Sequence, residues 1–482
     1  MVVFPQSMTF IMNSKSVLSG VLLSVLVIAV SASVSEKLLR VPLFEVGELW
    51  YRSVCTLTGR MLFLLTTWPD FYAVTTYIIV AILSVGFYYF YLIMFCPLNR
   101  IRILGDLGYR AEGKFTMKEI ANSVRKRRMV GKVPAVYPNG WFGIMESHTL
   151  PRGNSTYVSI LGLHLAVFRG EDGESHVLDA YCPHMGANLG IGGRVVGNCI
   201  ECPFHGWQFR GTDGKATKIP YAEKVPDFTK VKAYVSKETN GWIYLWHHAE
   251  KEHKDVPEWE IPNLDNINNG RWTYRGRTEH HINAHIEEIP ENGADVSHLP
   301  QVHGPMISAG VDLKEMWNTF WSFGHHKWTA AWEQNPAPEK HIGTLKLTHS
   351  LNLFGKHLPL IDMDVRAQQI GPAIVYLEFD SPIGSGVFVQ SLTPVEPMVQ
   401  KLVHNIYMDR KVPTIIAKFF MLGEALQVER DVMIWNNKTF VSKPMFVKSK
   451  EDSLIAKHRR WYAQFYTENS PKLTFQKESM EW

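Results

Sequence analysis

Cys182-Pro183-His184-Met185-Gly186 and Cys202-Pro203-Phe204-His205-Gly206-Trp207 each offer one thiol and one imidazole, with 17 residues between His184 and Cys202. Two thiolates on one iron and two imidazoles on the other make a [2Fe-2S] centre, and the neutral histidines raise its potential above that of an all-thiolate cluster. Such a centre takes up electrons singly and passes them on. Zinc accepts the same donors, but zinc fingers keep their cysteines together and their histidines together, whereas here one of each alternates within each loop. Gly186, Gly206 and the prolines suit tight loops whose backbone N–H groups approach cluster sulfurs. Cys199 is read as an ordinary buried cysteine, because Cys202 already satisfies the Cys-x-x-His spacing to His205. Trp207 is read as a packing residue.

A second constellation lies downstream, in Glu291-Asn292-Gly293-Ala294-Asp295-Val296-Ser297-His298-Leu299-Pro300-Gln301-Val302-His303. On a helix, Asp295 and His298 would share a face, with His303 in the next turns. Pro300 then predicts a break or kink between the two histidines. Two histidines and a distant carboxylate form the facial triad of Fe(II) oxygenases, which leaves coordination positions open for O₂. A His-x-x-x-x-His spacing is weak alone in a chain with 20 histidines, but an electron-transfer centre upstream gives such an iron the supply that it requires. Asp431, on the apolar stretch 427–438, is the preferred third ligand; Glu429 and Glu424 are the alternatives. His280, His281 and His285 do not reproduce a triad spacing and are read as lining or surface residues, His285 as a group that could orient a ligand.

What positions these groups follows from the rest of the chain. With 482 residues, 46% hydrophobic and 20% charged, it can bury a large core divided into about three units. A net charge of +4 is too small to argue for nucleic acid, and no nucleic-acid partner is expected. Five cysteines, three of them crowded near histidines, fit a metal site better than a disulfide framework. Two apolar stretches could enter a bilayer. Residues 17–32 read as either a cleaved signal or a short span, and residues 73–95 carry no charge and are long enough to cross. Arg100, Arg102, Arg110, Lys114, Lys118 and the run Arg125 to Arg128 follow the second stretch. They place what comes after it in the cytoplasm, a reducing compartment that suits the cluster, so the sequon at Asn154 should be unglycosylated.

Short β runs separated by Gly, Asn and Asp turns fill the next hundred residues, and longer strand-like runs flanked by helical stretches at 286–298 and 414–436 follow. The expected architecture is therefore α+β: an N-terminal transmembrane anchor, an all-β cluster domain, and an α+β, helix-grip-like catalytic domain with an antiparallel sheet. The boundaries read as an anchor region 1–100, a basic juxtamembrane connector 101–137, a cluster domain 138–250, a linker 251–270 and a catalytic domain 271–482.

With both constellations located, the sequence resembles the Rieske oxygenase family, and specifically the cholesterol 7-desaturases of insects and nematodes, over about residues 132–438. The resemblance rests on Gly131-Lys132-Val133-Pro134, Tyr137-Pro138-Asn139-Gly140-Trp141-Phe142, the two cluster loops with Ala187-Asn188-Leu189-Gly190 and Cys199-Ile200-Glu201, Glu291 to Asp295, and the Asp431 segment ending in Ile434-Trp435. It implies that Cys182, His184, Cys202 and His205 hold the cluster and that His298, His303 and Asp431 hold the iron. Asp295 would bridge the cluster of one subunit to the iron of its neighbour in a homotrimer. The implied reaction removes two hydrogens across C7 and C8 of cholesterol to give 7-dehydrocholesterol, in steroid hormone biosynthesis. Electrons would come from NAD(P)H through a separate reductase, since this chain has no Gly-x-Gly-x-x-Gly loop. A sterol dissolved in the bilayer also explains an anchor, with the endoplasmic reticulum as the expected membrane. The rivals are a Rieske steroid hydroxylase, which shares every ligand, a membrane-bound Rieske electron carrier, and a zinc-dependent interaction module.

Overall fold

The computed structural model describes residue 56 and residues 71–109, 113–127 and 133–473; the expected apolar segment 17–32 lies outside these described residues. The chain divides into two compact units, Met1–Cys96 and Pro97–Trp482. In the first, helix α1 (Phe71–Met94) is apolar all round. Its stretch Thr75–Met94 is long and apolar enough to cross a membrane, and none of it is buried by protein. Twenty residues at helical rise cover about 30 Å, the thickness of a hydrocarbon core.

The second unit opens with strand β1 (Leu98–Arg102) and helix α2 (Met117–Arg127). Then come β2 (Gly140–Glu146), β3 (Ser155–Ile160), β4 (Leu163–Arg169), β5 (Ser175–Asp179), β6 (Arg194–Val196), β7 (Cys199–Glu201), β8 (Gln208–Arg210), β9 (Ala216–Lys218), β10 (Ser236–Thr239) and β11 (Trp242–His247). These ten make three small antiparallel sheets in the orders β10-β11-β2, β3-β4-β5 and β6-β7-β8-β9. This is the expected all-β domain.

Seven strands of seven or more residues and the two-residue β15 complete the unit: β12 (Trp272–Ile282), β13 (Gly324–Gln334), β14 (Ile342–Leu353), β15 (Lys356–His357), β16 (Met363–Ile370), β17 (Ile374–Asp380), β18 (Gly386–Glu396) and β19 (Val399–Asp409). With β1 they form a nine-stranded sheet in the order β1-β12-β19-β18-β17-β16-β14-β13, β15 pairing with β14. Every pairing is antiparallel except that of β1 with β12. Helices α3 (His298–Val302), α4 (Thr414–Trp435) and α5 (Lys450–Tyr462) pack with this sheet, α4 against β12 and β19. Buried residues alternate along β12, as expected of a strand with one face toward a core. In β18 and β19 nearly every residue is buried, because the second face is covered too: Thr393 Oγ1 donates to the Gly143 carbonyl at 2.7 Å. Phe142, Ile144 and Leu245 of the all-β domain pack in one apolar cluster with Ile282, Leu392, Leu402 and Trp435. The two expected domains therefore share a core.

Several sequence boundaries shift accordingly. Strand β1 straddles the expected anchor region and connector, yet it pairs with Gly276 to His280 and belongs to the catalytic sheet. Residues 251–270 are no free linker, because Ile261 and Leu264 are buried in the core and Trp259 packs against it. The helix expected at 286–298 is instead two 3-10 turns, Ile286–Glu288 and Pro290–Gly293, followed by α3. Pro300 lies in the first turn of α3, where its missing N–H has no intrahelical partner to lose, so it starts a helix and does not break one.

Candidate active site and its two metal centres

The two Cys-His loops have the same backbone. The Cys182 carbonyl accepts from Gly186 N at 2.9 Å and Cys182 N donates to Ala187 O at 2.9 Å; the Cys202 carbonyl accepts from Gly206 N at 3.1 Å and Cys202 N donates to Trp207 O at 2.7 Å. Closing each turn requires a left-handed residue, supplied by Gly186 (φ 74°) and Gly206 (φ 70°). A Cβ at Gly206 would also meet Pro220 at 3.0 Å. The loops bring the His184 and His205 rings to 4.6 Å, and the Trp207 ring stacks on His184 at 4.6 Å, its indole N–H donating to Tyr221 Oη at 2.9 Å. Both thiols are buried among Phe168, Leu189, Ile200 and Phe209, while His184 is exposed.

This arrangement fits a diiron cluster. Burial pushes the Cys182 thiol up to about 11, with the neighbouring Cys202 adding to the effect, so its thiolate form needs positive charge beside it. His205 Nδ1 is buried and has no hydrogen-bond partner, as a ligating nitrogen would be. Cys199 is half-buried on β7, its sulfur 3.5 Å from Thr217 Oγ1.

The second constellation also closes. His298, His303 and Asp431 each present a donor atom, all within 4.8 Å of one another, and His303 Nε2 lies 3.3 Å from Asp431 Oδ2. Their partners set the tautomers. His303 Nδ1 faces Gln427 Oε1 at 2.8 Å, an acceptor, so Nδ1 carries the proton and Nε2 is left bare. His298 Nδ1 likewise meets the Asp295 carbonyl. Asp431 Oδ1 is buried with no partner. Two bare imidazole nitrogens and one carboxylate suit a ferrous ion with open positions.

Arg430 holds the loop after His303. Its buried guanidinium donates to four carbonyls: Nε to Gly310 O at 2.9 Å, Nη1 to Val302 O and Pro305 O at 3.0 Å each, and Nη2 to Met306 O at 2.7 Å. Trp328 Nε1 adds a bond to the His303 carbonyl at 3.0 Å. Sequence reasoning missed these three supports. Gln427 was accessible, since it precedes Asp431 by four residues on one helical face.

Of the alternative carboxylates, Glu429 is already engaged. Arg100 Nε and Nη2 reach it at 2.7 and 2.9 Å, Arg102 Nε at 3.4 Å and His280 Nε2 at 3.5 Å. Burial raises its pKa, but the bonds to His280 and Arg100 outweigh that and bring it to about 2. Arg100 and Arg102, counted above among the positive residues that place the following chain in the cytoplasm, are thus paired with a buried carboxylate of the fold. Glu424 lies at the head of an apolar cavity and meets His404 Nε2 at 3.3 Å; burial, then Asp431 and Glu429, push it up to about 8. The expectation that His280 and His285 are lining or surface residues is corrected: both are fully buried, and His285 caps the turn Ile286–Glu288 with its Nε2 3.2 Å from Ala135 O. Asp295 is partly exposed, accepting from Ser297 Oγ at 2.7 Å and His298 N at 3.3 Å.

The cavity, of about 530 Å³, lies between α4 and strands β13, β14, β16, β17 and β18. Leu347, Leu351, Val365, Phe379 and Phe388 line it, and it reaches Gln427, the partner of His303. Polar side chains in its wall are His326, His349, Glu424 and Gln427.

A Rieske [2Fe-2S] domain matches residues 140–229, and a 3-ketosteroid 9alpha-hydroxylase C-terminal domain matches residues 245–466. A cholesterol 7-desaturase of Xenopus laevis is 51% identical over 80% of this chain and 84% of its own, and the cholesterol 7-desaturase of Caenorhabditis elegans is 42% identical over 78% and 89%. The chain belongs to the cholesterol 7-desaturase family of Rieske oxygenases. The fold agrees with that of the Pseudomonas putida protein NdmA, TM-score 0.50 at 18% identity over 67% of this chain and 89% of that one. As a member of this family the chain is an oxidoreductase with a [2Fe-2S] cluster, a mononuclear iron, O₂ as oxidant and a separate reductase as electron source.

Proposed function

We propose that this chain removes one hydrogen from each of C7 and C8 of cholesterol to give 7-dehydrocholesterol, in a membrane whose lipid phase supplies the sterol. The observation that carries this reading is the apolar cavity that reaches Gln427, the hydrogen-bond partner of His303, on a chain 51% identical to a cholesterol 7-desaturase. Its volume suits a small-molecule ligand of sterol size, and its carbon lining suits four fused rings and an alkyl tail. The overall balance is sterol, O₂, two electrons and two protons giving the diene and two waters.

In this reading Cys182, His184, Cys202 and His205 hold the cluster, and His298, His303 and Asp431 hold the iron. Bound there, the iron supplies dioxygen activation and abstraction of hydrogen from unactivated carbon, while the cluster supplies electrons one at a time. The chain's own part is positional. Gln427 and the Asp295 carbonyl keep Nε2 of each histidine bare, Arg430 fixes the loop, and the apolar wall excludes water. The exposed His184 edge suits electron exchange with a partner. Asp295, at the protein surface, is read as the carboxylate that meets the cluster of a second copy in a ring-shaped trimer. Helix α1 is read as a membrane anchor, with the catalytic unit on the cytoplasmic side of the endoplasmic reticulum and an NAD(P)H-dependent reductase as partner.

The match to a steroid hydroxylase domain favours one second reading, hydroxylation at the same carbon. Membranes carrying the chain, given labelled cholesterol, O₂, NADPH and a reductase, distinguish the two. 7-Dehydrocholesterol is expected, and a 7-hydroxysterol as final product would overturn desaturation. An electron carrier without oxygenase chemistry predicts that His298→Ala and His303→Ala leave electron throughput intact, whereas the oxygenase reading predicts loss of sterol oxidation with the cluster retained.

A further inference from the structure

One wall of the cavity carries a hydrogen-bond relay that holds none of the proposed metal ligands. His349 Nδ1 faces the Ile361 carbonyl at 3.2 Å, and His349 Nε2 faces His326 Nδ1 at 2.8 Å. A carbonyl only accepts, so His349 Nδ1 carries the proton; its Nε2 is then bare, and His326 Nδ1 must donate to it. His326 Nε2 is left as an unprotonated acceptor. It is buried and has no hydrogen-bond partner, and His326 is 4% exposed. The backbone is fixed as well, with His326 N donating to Gly304 O at 2.8 Å. Burial brings His326 down to about 3 and lowers His349, so both rings stay neutral near pH 7.

A buried acceptor without a donor is costly, and this one belongs to a side chain in the wall of a largely carbon-lined cavity, where a donor brought in by the ligand would satisfy it. Of the other polar wall groups, Gln427 Oε1 holds His303, Glu424 Oε1 meets His404 and the indole N–H of Trp328 is bonded to the His303 carbonyl, whereas Glu424 Oε2 and Gln427 Nε2, both on α4 with Asp431, are also buried without partners; His326 Nε2 is the unpaired atom on the opposite, sheet side of the cavity. Two ring contacts join this acceptor to the iron end, His326 to Trp328 at 6.3 Å and Trp328 to His303 at 6.4 Å. A 3-hydroxysterol has the matching layout, since its only O–H is on C3, separated from C7 by three ring carbons.

We infer that His326 Nε2, oriented by His349, accepts the hydrogen bond of the sterol 3-hydroxyl and thereby sets which carbons face the iron. The inference rests on the sterol reading given under the proposed function. It makes His326 a specificity-determining residue that favours alcohols over isosteric sterols lacking an O–H.

The test compares cholesterol with its 3β-fluoro analogue, which keeps the skeleton and removes the donor. For the unsubstituted chain in membranes, kcat/KM for the fluoro analogue is expected to fall roughly ten- to a hundredfold, with oxidation no longer confined to C7 and C8. His326→Phe should bring the two substrates to near parity, and His326→Gln, which restores an acceptor, should recover the preference. Three irons per chain and an unchanged cluster spectrum certify each variant. Equal rates and regiochemistry for both sterols in the unsubstituted chain would overturn the inference without any variant, as would a preference that survives in His326→Phe. If the unsubstituted chain neither binds nor oxidises cholesterol, the sterol reading itself falls and this inference with it.

Discussion

Arg430→Lys isolates the role of the carbonyl clamp. The guanidinium fork serves carbonyls from Val302 to Gly310, on both sides of the turn that follows His303. A lysine ammonium is a single point with three donors, so it leaves at least one carbonyl unpaired, and the spread of the four makes two the realistic number. Hydrogen bonds to charged groups contribute about 1.5–3 kcal/mol each, so losing two costs about 3 kcal/mol or more. For a unit of this size that lowers the unfolding midpoint by about 4 °C. The functional loss should be sharper, because the freed segment includes His303. Full-length protein should retain the cluster's visible absorption and its two irons while the third iron and sterol oxidation are lost. Metal analysis alongside the visible spectrum reads both. A variant with three irons, unchanged turnover and an unchanged midpoint would refute the clamp argument.

Gln427→Ala removes the acceptor that fixes the His303 tautomer and should weaken mononuclear iron binding by roughly 10–100-fold with the cluster spectrum intact, read by iron retention during chelator titration. Leu347→Trp narrows the cavity wall and should raise KM for the sterol with little change in iron content; an unchanged KM would mean that the substrate lies elsewhere. Acid should destabilise the fold well above the carboxylate range. Burial depresses His285 to about 4 and His458 to about 3, so between pH 6.5 and about 4 the unfolded chain binds two protons that the native chain does not. Stability should therefore fall as pH falls, by up to about 2.7 kcal/mol per pH unit from this pair. Denaturant midpoints at pH 7, 6 and 5 measure this, and a flat profile would contradict it.

The chemistry was legible because both cluster loops are local: ligand order, the flanking glycines and the spacing all lie within a few residues of each other. The β runs of the first domain were legible for the same reason, being short and bounded by turn residues. The proposed iron site was only half visible. His298 and His303 are neighbours in sequence, but Asp431 is brought to them by packing of α4, so Glu429 and Glu424 stayed open until Arg100, Arg102 and His280 were seen around one of them and His404 beside the other. Periodicity also misread 286–298, where the polar caps of His285 and the turn at Pro290 favour 3-10 turns over a continuous helix. The cavity and the His326–His349 relay had no sequence signature. Their residues come from separate strands, and a lone histidine on an apolar strand reads as an ordinary core residue.

Strand β1 bears on how this protein can be shortened. Five residues starting at Leu98 supply an outer strand of the catalytic sheet, and two arginines in them neutralise a carboxylate two positions from Asp431. A water-soluble version that begins beyond Arg102 would expose the rim of β12 and leave Glu429 with His280 as its remaining side-chain partner, beside the proposed iron site. Trimming must therefore stop ahead of Leu98, so that the sheet keeps its parallel edge and the iron its surroundings.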